Sequence, residues 1–360
     1  MRPGLLAALV LAATLTACAT PEPVALVPIT SAAIAAPTQS ETATRLGALI
    51  DDERRINDVF GRLITSNADL CGPDFVPAFG FKLWSIEDFE PAMRAAASEA
   101  LGLDERLQVY AVGAGLPAAA AGVKPGDILT RVEGRRLEPG ASGRLQFSAG
   151  VTEGLIKRGN VRFEFERDGK RRKARLNALK SCPFSASLAV ADEANAATDG
   201  KTIFVTTGML RFARDDRELA LVLGHEIAHA IRRHPQRSAR PESSGIGGGL
   251  VIDSVVTAAV DVTDAAYATV KSMTGTRPNS ILFEMEADYM GMYLTARAGY
   301  DVSNAAEIWT RLEATYPGAS RGSWTHPSNS DRFEAMNRTA EEIAEKRAAG
   351  RDLIPDAPSS

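Results

Sequence analysis

Histidine is scarce in this chain, with 4 among 360 residues. No imidazole is left over to act as the base for a serine nucleophile, which disfavours covalent hydrolysis. No long basic stripe is present and the formal net charge is −4, which argues against nucleic acid as the main partner. No apolar run is suited to cross a membrane as a mature helix. Leu5 to Leu15 is too short, and Asp253, Asp261 and Asp264 interrupt the run within 241–282. With 45% hydrophobic and 24% charged residues the composition is globular rather than disordered. The length allows two domains or one large one.

Two of the four histidines share one short word, His225-Glu226-Ile227-Ala228-His229. By composition such a word arises by chance about 0.003 times in a chain of this length. Its i, i+4 spacing sets both imidazoles on one helix face, where they can bind a single Zn²⁺ while the intervening Glu activates water. Asp215-Asp216-Arg217-Glu218 supplies the acidic first turn that a helix leading into this word needs. The chemistry expected is that of a zinc metallopeptidase holding one Zn²⁺ per subunit. A catalytic zinc needs a third protein ligand and an open position. His234, followed by Pro235, is expected to pack at the end of the motif helix.

The N-terminus reads as a targeting segment. Arg2 is followed by a short apolar stretch that closes on Leu15-Thr16-Ala17-Cys18. That word resembles a bacterial lipobox, which implies a signal peptide at 1–17 and a lipid-bearing Cys18. Ala19 after it resembles lipoproteins sorted to the outer membrane, so the expected location is the periplasmic face of the envelope, reached through this anchor. The Ala-, Pro-, Thr- and Ser-rich linker 18–42 would be the tether. In an oxidising compartment the two remaining cysteines, Cys71 and Cys182, are expected to pair.

Apolar positions at helical spacing predict a helix over 43–67. Residues 86–180 form a separate unit. Leu107 to Val112 alternates like a strand, and Val161 to Lys170 reads as a strand ending in an Asp168-Gly169 turn, with another strand at Lys173 to Leu179. Between them Pro117 to Leu129, PAAAAGVKPGDIL, resembles a PDZ domain of bacterial envelope proteases. The resemblance implies a site that binds an extended peptide at a sheet edge, with Leu101-Gly102-Leu103 near its carboxylate loop.

Further along, Thr202 to Thr206 is a β-branched strand, and Ile281 to Ala298 a second helical block. The segment 241–282 is expected to be an amphipathic helix or a lid. The strand IFVTTGML, the run RELALVLGHEIAHAIRRH, the word Glu284-Met285-Glu286-Ala287-Asp288 and Thr325-His326-Pro327 together resemble the HtpX-like and BepA-like gluzincin zinc metallopeptidases, over about 186–340. The resemblance implies His225, His229 and Glu284 as metal ligands and Glu226 as general base. It implies Asp288 as a residue orienting a ligand histidine. His326 would be an extra ligand or an oxyanion stabiliser. Arg332 reads as a stabiliser of the tetrahedral intermediate or a surface charge. Glu286 competes with Glu284 as third ligand, but it lies about 200° around the helix. Unlike some envelope relatives, the chain shows no tetratricopeptide repeats after the core.

The expected fold is α+β: a mainly helical zincin-type catalytic domain (186–345) with a small β-sheet, an N-terminal helical segment (43–85), the inserted PDZ-like β-rich domain and a flexible tail (346–360). The expected function is cleavage of misfolded or stalled envelope proteins held in extended form. The alternatives are a PDZ-containing assembly factor with a latent or structural zinc site, and a zinc amidase acting on cell-wall peptides.

Overall fold

A computed structural model describes residues 39–238, 281–316 and 330–356. The signal segment, Cys18, most of the linker, nearly all of the 241–282 insert and His326 lie outside the described residues. The architecture is mixed α+β.

Helix α1 (Gln39–Ser66) joins the two parts of the described chain. Its first half sends Leu46 and Ile50 into a cluster with Trp84, Phe89, Leu103 and Tyr110. Its second half sends Ile56, Val59, Phe60 and Leu63 into the larger core. One amphipathic helix thus serves two cores, because its apolar stripe stays on one side for seven turns. At its end, Cys71 and Cys182 are joined in a disulfide with Cα atoms 5.5 Å apart, as expected for this pair.

The disulfide closes the base of the β-rich unit. Two short strands, β1 (Val76–Ala78) and β8 (Leu179–Ser181), pair beside it. Above them a six-stranded sheet has the order β2-β3-β4-β6-β7, with β5 beside β4. These strands are β2 (Phe81–Trp84), β3 (Gln108–Val112), β4 (Ile128–Val132), β5 (Arg135–Arg136), β6 (Asn160–Arg167) and β7 (Lys170–Asn177). The sheet therefore takes in residues upstream of 86. Asp168 and Gly169 both have positive φ, 53° and 69°, which gives the β6–β7 hairpin the turn twist its strands require. As a result β7 begins at Lys170, before the expected Lys173.

Helices α2 (Arg94–Leu101) and α3 (Pro117–Ala120) flank the sheet, and α4 (Gly140–Arg158) lies across it. The buried face of α4 is Gly140, Gly143, Gly150 and Gly154. A Cβ at Gly150 would fall 1.8 Å from Val132 Cγ1, so only a bare helix face can lie this close to β4. Leu101-Gly102-Leu103 does structural work: Gly102 ends α2 in the left-handed conformation and Leu103 is buried against α1.

In the second part, β9 (Ser185–Ala189), β10 (Ala196–Thr198) and β11 (Thr202–Thr206) form a three-stranded sheet. β11 is central, parallel to β9 and antiparallel to β10. Thr206 ends the strand and caps α5 (Thr207–Phe212), its hydroxyl accepting from the Met209 N–H. The rest is helical: α6 (Asp216–Ile231), α7 (His234–Ser238), α8 (Ile281–Arg297), α9 (Ala306–Thr315) and α10 (Ser330–Ala348). Residues 351–356, expected within the flexible tail, are tied down. Lys346 Nζ donates to the Ile354 carbonyl and to Asp356, the Asp356 N–H donates to the Tyr289 hydroxyl, and Arg297 donates to the Leu353 carbonyl.

Candidate metal centre

Helix α6 carries the histidine pair. Asp215 caps it, its carboxylate accepting from the Glu218 N–H at 2.9 Å. Every residue from Glu218 to Ala230 is buried, so the helix runs through the middle of the core. It crosses α8 at Gly224 and Gly291. A Cβ on Gly291 would lie 2.8 Å from the His225 backbone nitrogen, and one on Gly224 would lie 2.8 Å from the Gly291 carbonyl oxygen. The two backbones touch because neither residue has a side chain. Thr295 locks the crossing, its hydroxyl donating to the Ala220 carbonyl at 3.1 Å.

Two turns before Gly291, Glu284 reaches the histidines. His225 Nε2 and His229 Nε2 stand 3.0 Å apart, and each lies 3.4 Å from a Glu284 oxygen. All three donor atoms fall within 4.8 Å of one another and all three residues are buried. A tetrahedral zinc with ligands at roughly 2.0–2.1 Å sets its donors roughly 3.3 Å apart, so this donor set fits one such ion with a fourth position to spare. Glu226, next in the helix, is buried at the same level.

The histidines are held from behind by different partners. His225 Nδ1 lies 2.9 Å from an Asp288 carboxylate oxygen. Arg332 then grips Asp288 with Nε and Nη2, at 2.7 and 2.8 Å, and reaches Glu284 with Nη1 at 3.3 Å. Arg332 is only 2% exposed, which corrects the surface-charge reading. Its guanidinium is directed at two carboxylates, those of Asp288 and Glu284. Trp309 of α9 walls this side, its ring 5.1 Å from that of His225.

Burial works against ionisation of Asp288, yet Arg332 and His225 outweigh it and hold its carboxyl below the usual range. Burial likewise opposes protonation of His225, but Asp288 and Glu284 lift it above the usual imidazole value. A site this negative attracts a cation, whether a proton or a metal.

His229 Nδ1 meets His234 Nδ1 at 2.9 Å, and His234 Nε2 meets Glu286 at 2.9 Å. Helix α6 ends at Ile231, Arg233 takes a φ of 55°, and α7 starts at His234, so the chain doubles back beneath His229. Spacing did not reveal this pairing, because it depends on that turn. The only available signal was a third histidine so near the motif in a histidine-poor chain. Glu286, the rival ligand by sequence, lies outside the donor triad and is paired with His234 and Arg232.

Residues 167–340 match Peptidase family M48. The match spans every residue of this centre, and M48 peptidases depend on zinc. Over these residues the chain is similar to zinc-dependent metallopeptidases. The M48 region is similar to "Metalloendopeptidase OMA1, mitochondrial" of Bos taurus, 30% identical over 147 residues, covering 38% of this chain and 28% of that protein. It is similar to the "Mitochondrial metalloendopeptidase OMA1" of Arabidopsis thaliana, 34% identical over 138 residues, covering 37% and 27%. It is also similar to the "Putative beta-barrel assembly-enhancing protease" of Vibrio cholerae, 30% identical over 149 residues, covering 37% and 30%. The chain spans less than a third of the length of these relatives.

Proposed function

We propose that this chain is a zinc metalloendopeptidase of the bacterial cell envelope, cleaving misfolded or stalled envelope proteins held in extended form. The convergence of His225, His229 and Glu284 beside Glu226 carries the proposal. The bound zinc would polarise the scissile carbonyl and make water more acidic. Glu226 takes a proton from the attacking water and passes it to the leaving amine. Asp288 keeps His225 in the tautomer that turns Nε2 to the metal. Arg332 offsets the charge of Glu284 and Asp288 and fixes both carboxylates. His326 remains the residue proposed to close or complete the site.

The envelope location is supported by the likeness to the assembly-enhancing proteases of Vibrio cholerae and Escherichia coli. Among the described residues no helix is long and apolar enough to cross a membrane, which is compatible with attachment through a lipid on Cys18. The β-rich unit is proposed to be PDZ-like. Its six-stranded sheet, with α4 laid across it, supports that reading. The peptide edge we favour is β2, preceded by Phe79-Gly80, with the Phe147 ring of α4 opposite Phe81 at 6.4 Å. The binding-only alternative is not favoured, since a structural zinc has no use for the base at Glu226.

The test is degradation of an unfolded protein by the zinc-loaded full chain beside Glu226→Gln. The variant should bind zinc and lose about 10²–10⁴-fold in rate. Equal rates would refute Glu226 as base, and no cleavage by zinc-loaded wild type would refute the peptidase.

A further inference from the structure

The centre is built asymmetrically. His225 leans directly on a carboxylate, whereas between His229 and its carboxylate stands a second imidazole. His234 is wholly buried. It is stacked face to face on Phe283, centroids 4.3 Å apart and planes within 3°. Arg237 also lies over the Phe283 ring, 4.4 Å from its centroid. Glu286 is anchored by Arg232 and lies 3.7 Å from Arg237. A ring clamped in this way has one orientation.

Two proton arrangements are possible along the chain of contacts, and the ends decide between them. In the first, His229 Nδ1–H donates to His234 Nδ1, and His234 Nε2–H donates to the Glu286 carboxylate. His229 Nε2 then presents a lone pair to the metal. In the second, His234 Nδ1–H donates to His229, which puts a bare Nε2 against a carboxylate and a proton on the nitrogen facing Glu284. The second arrangement repels at one end and blocks the metal at the other. A doubly protonated His234 does not resolve the conflict, because its Nδ1–H would still donate to His229 Nδ1 and leave the proton of His229 on the nitrogen facing Glu284.

We infer that His234 is a positioning residue: through its Nδ1 acceptor it fixes the His229 tautomer and orientation that bind the metal, with Glu286 fixing His234 in turn. This rests on the zinc-peptidase reading of the centre but concerns metal binding, so it can fail separately from it. His234 does for His229 what Asp288 does for His225, using a neutral group and leaving the negative charge one ring further out. The two ligands therefore differ in basicity, His225 being the more strongly polarised.

The test uses the full chain and zinc itself, read by chelator competition. His234→Leu should weaken zinc binding by about 10–100-fold, the usual effect of losing such a partner. His234→Asn places an oxygen where Nδ1 stands and should recover most of that loss. A packing role alone would lower thermal stability in both variants and leave zinc affinity within twofold of wild type, which would overturn the inference. Equal losses in the Asn and Leu variants would overturn it too. Should both variants fail to fold, ¹⁵N spectra of the zinc-loaded wild type decide: His234 must be neutral and protonated on Nε2, and a proton on its Nδ1 overturns the proposal. A chain that binds zinc, loses affinity on His234→Leu and cleaves nothing would sustain this inference and refute the peptidase. Failure of the wild type to bind zinc would overturn both.

Discussion

Gly291→Ala should weaken zinc binding far more than it weakens folding. The added methyl would lie 2.8 Å from His225 N, 2.9 Å from His225 Cα and 3.0 Å from the Gly224 carbonyl carbon. All three are backbone atoms, so no rotamer change relieves the contact. Carbon pairs are comfortable at about 3.5–4.0 Å, and α6 and α8 would have to part by roughly 0.5–1 Å. Overpacking of this kind costs about 1–3 kcal/mol, while replacing a helical glycine by alanine returns about 1 kcal/mol. The net change in folding stability is therefore about 0–2 kcal/mol. The metal is less forgiving. Glu284 sits on α8 and the histidines on α6, so any parting of the helices is transmitted to the ligand set, where distances hold to about ±0.2 Å. Zinc affinity should fall more than about tenfold, or 1.4 kcal/mol. Chelator competition gives the affinity and denaturant unfolding of the zinc-free protein gives the stability. Gly47→Ala on α1 is the control, with nothing within 4 Å of its Cβ; it should leave zinc binding unchanged. A zinc affinity in Gly291→Ala within twofold of wild type would refute the claim that this crossing sets the ligand geometry.

Two further outcomes follow from the same structure. The Cys71–Cys182 bridge spans 111 residues, so replacing both cysteines by serine should destabilise the protein by at most about 4–5 kcal/mol in the chain-entropy model. Denaturant unfolding would show this, and a change below about 1 kcal/mol would mean that β1–β8 pairing and α1 hold the base unaided. Glu218 is buried and meets Arg311 at 2.5 Å; burial raises its pKa, but Arg311 and the Arg214 N–H prevail and hold it below the ordinary glutamate value of 4.5. Its stabilising effect is thus complete above that value and is lost as pH falls through the lower folded-state pKa. Melting temperature against pH should therefore fall less steeply below about pH 4.5 in Glu218→Gln than in wild type, and parallel curves would count against the pairing.

The chemistry of the centre was legible in the sequence because it is local. Two histidines at i and i+4 share a helix face whatever surrounds them, and an aspartate four residues after a glutamate lies on the same side of its own helix. Helix α6, helix α8 and the β6–β7 hairpin were readable for the same reason: periodicity, caps and turn residues act over a few positions. Helix α4 was missed because its glycines weaken helix propensity, and it exists only because a bare face can lie on β4. The pinned residues 351–356 were missed because charge content says nothing of a neighbour such as Tyr289.

The sequence by itself determined which side chains could hold zinc, which carboxylate could serve as base, and which two cysteines could pair. Tertiary structure decided the rest. It brought Glu284 to the histidines by crossing α6 and α8 at two glycines, a distance of approach that no spacing within one helix encodes. It turned Arg332 into a buried clamp on Asp288 and Glu284. It also folded His234 back onto His229 through one residue of positive φ. Each of these depends on atoms far apart in the chain, or on a single backbone dihedral, and neither leaves a periodic trace in the sequence.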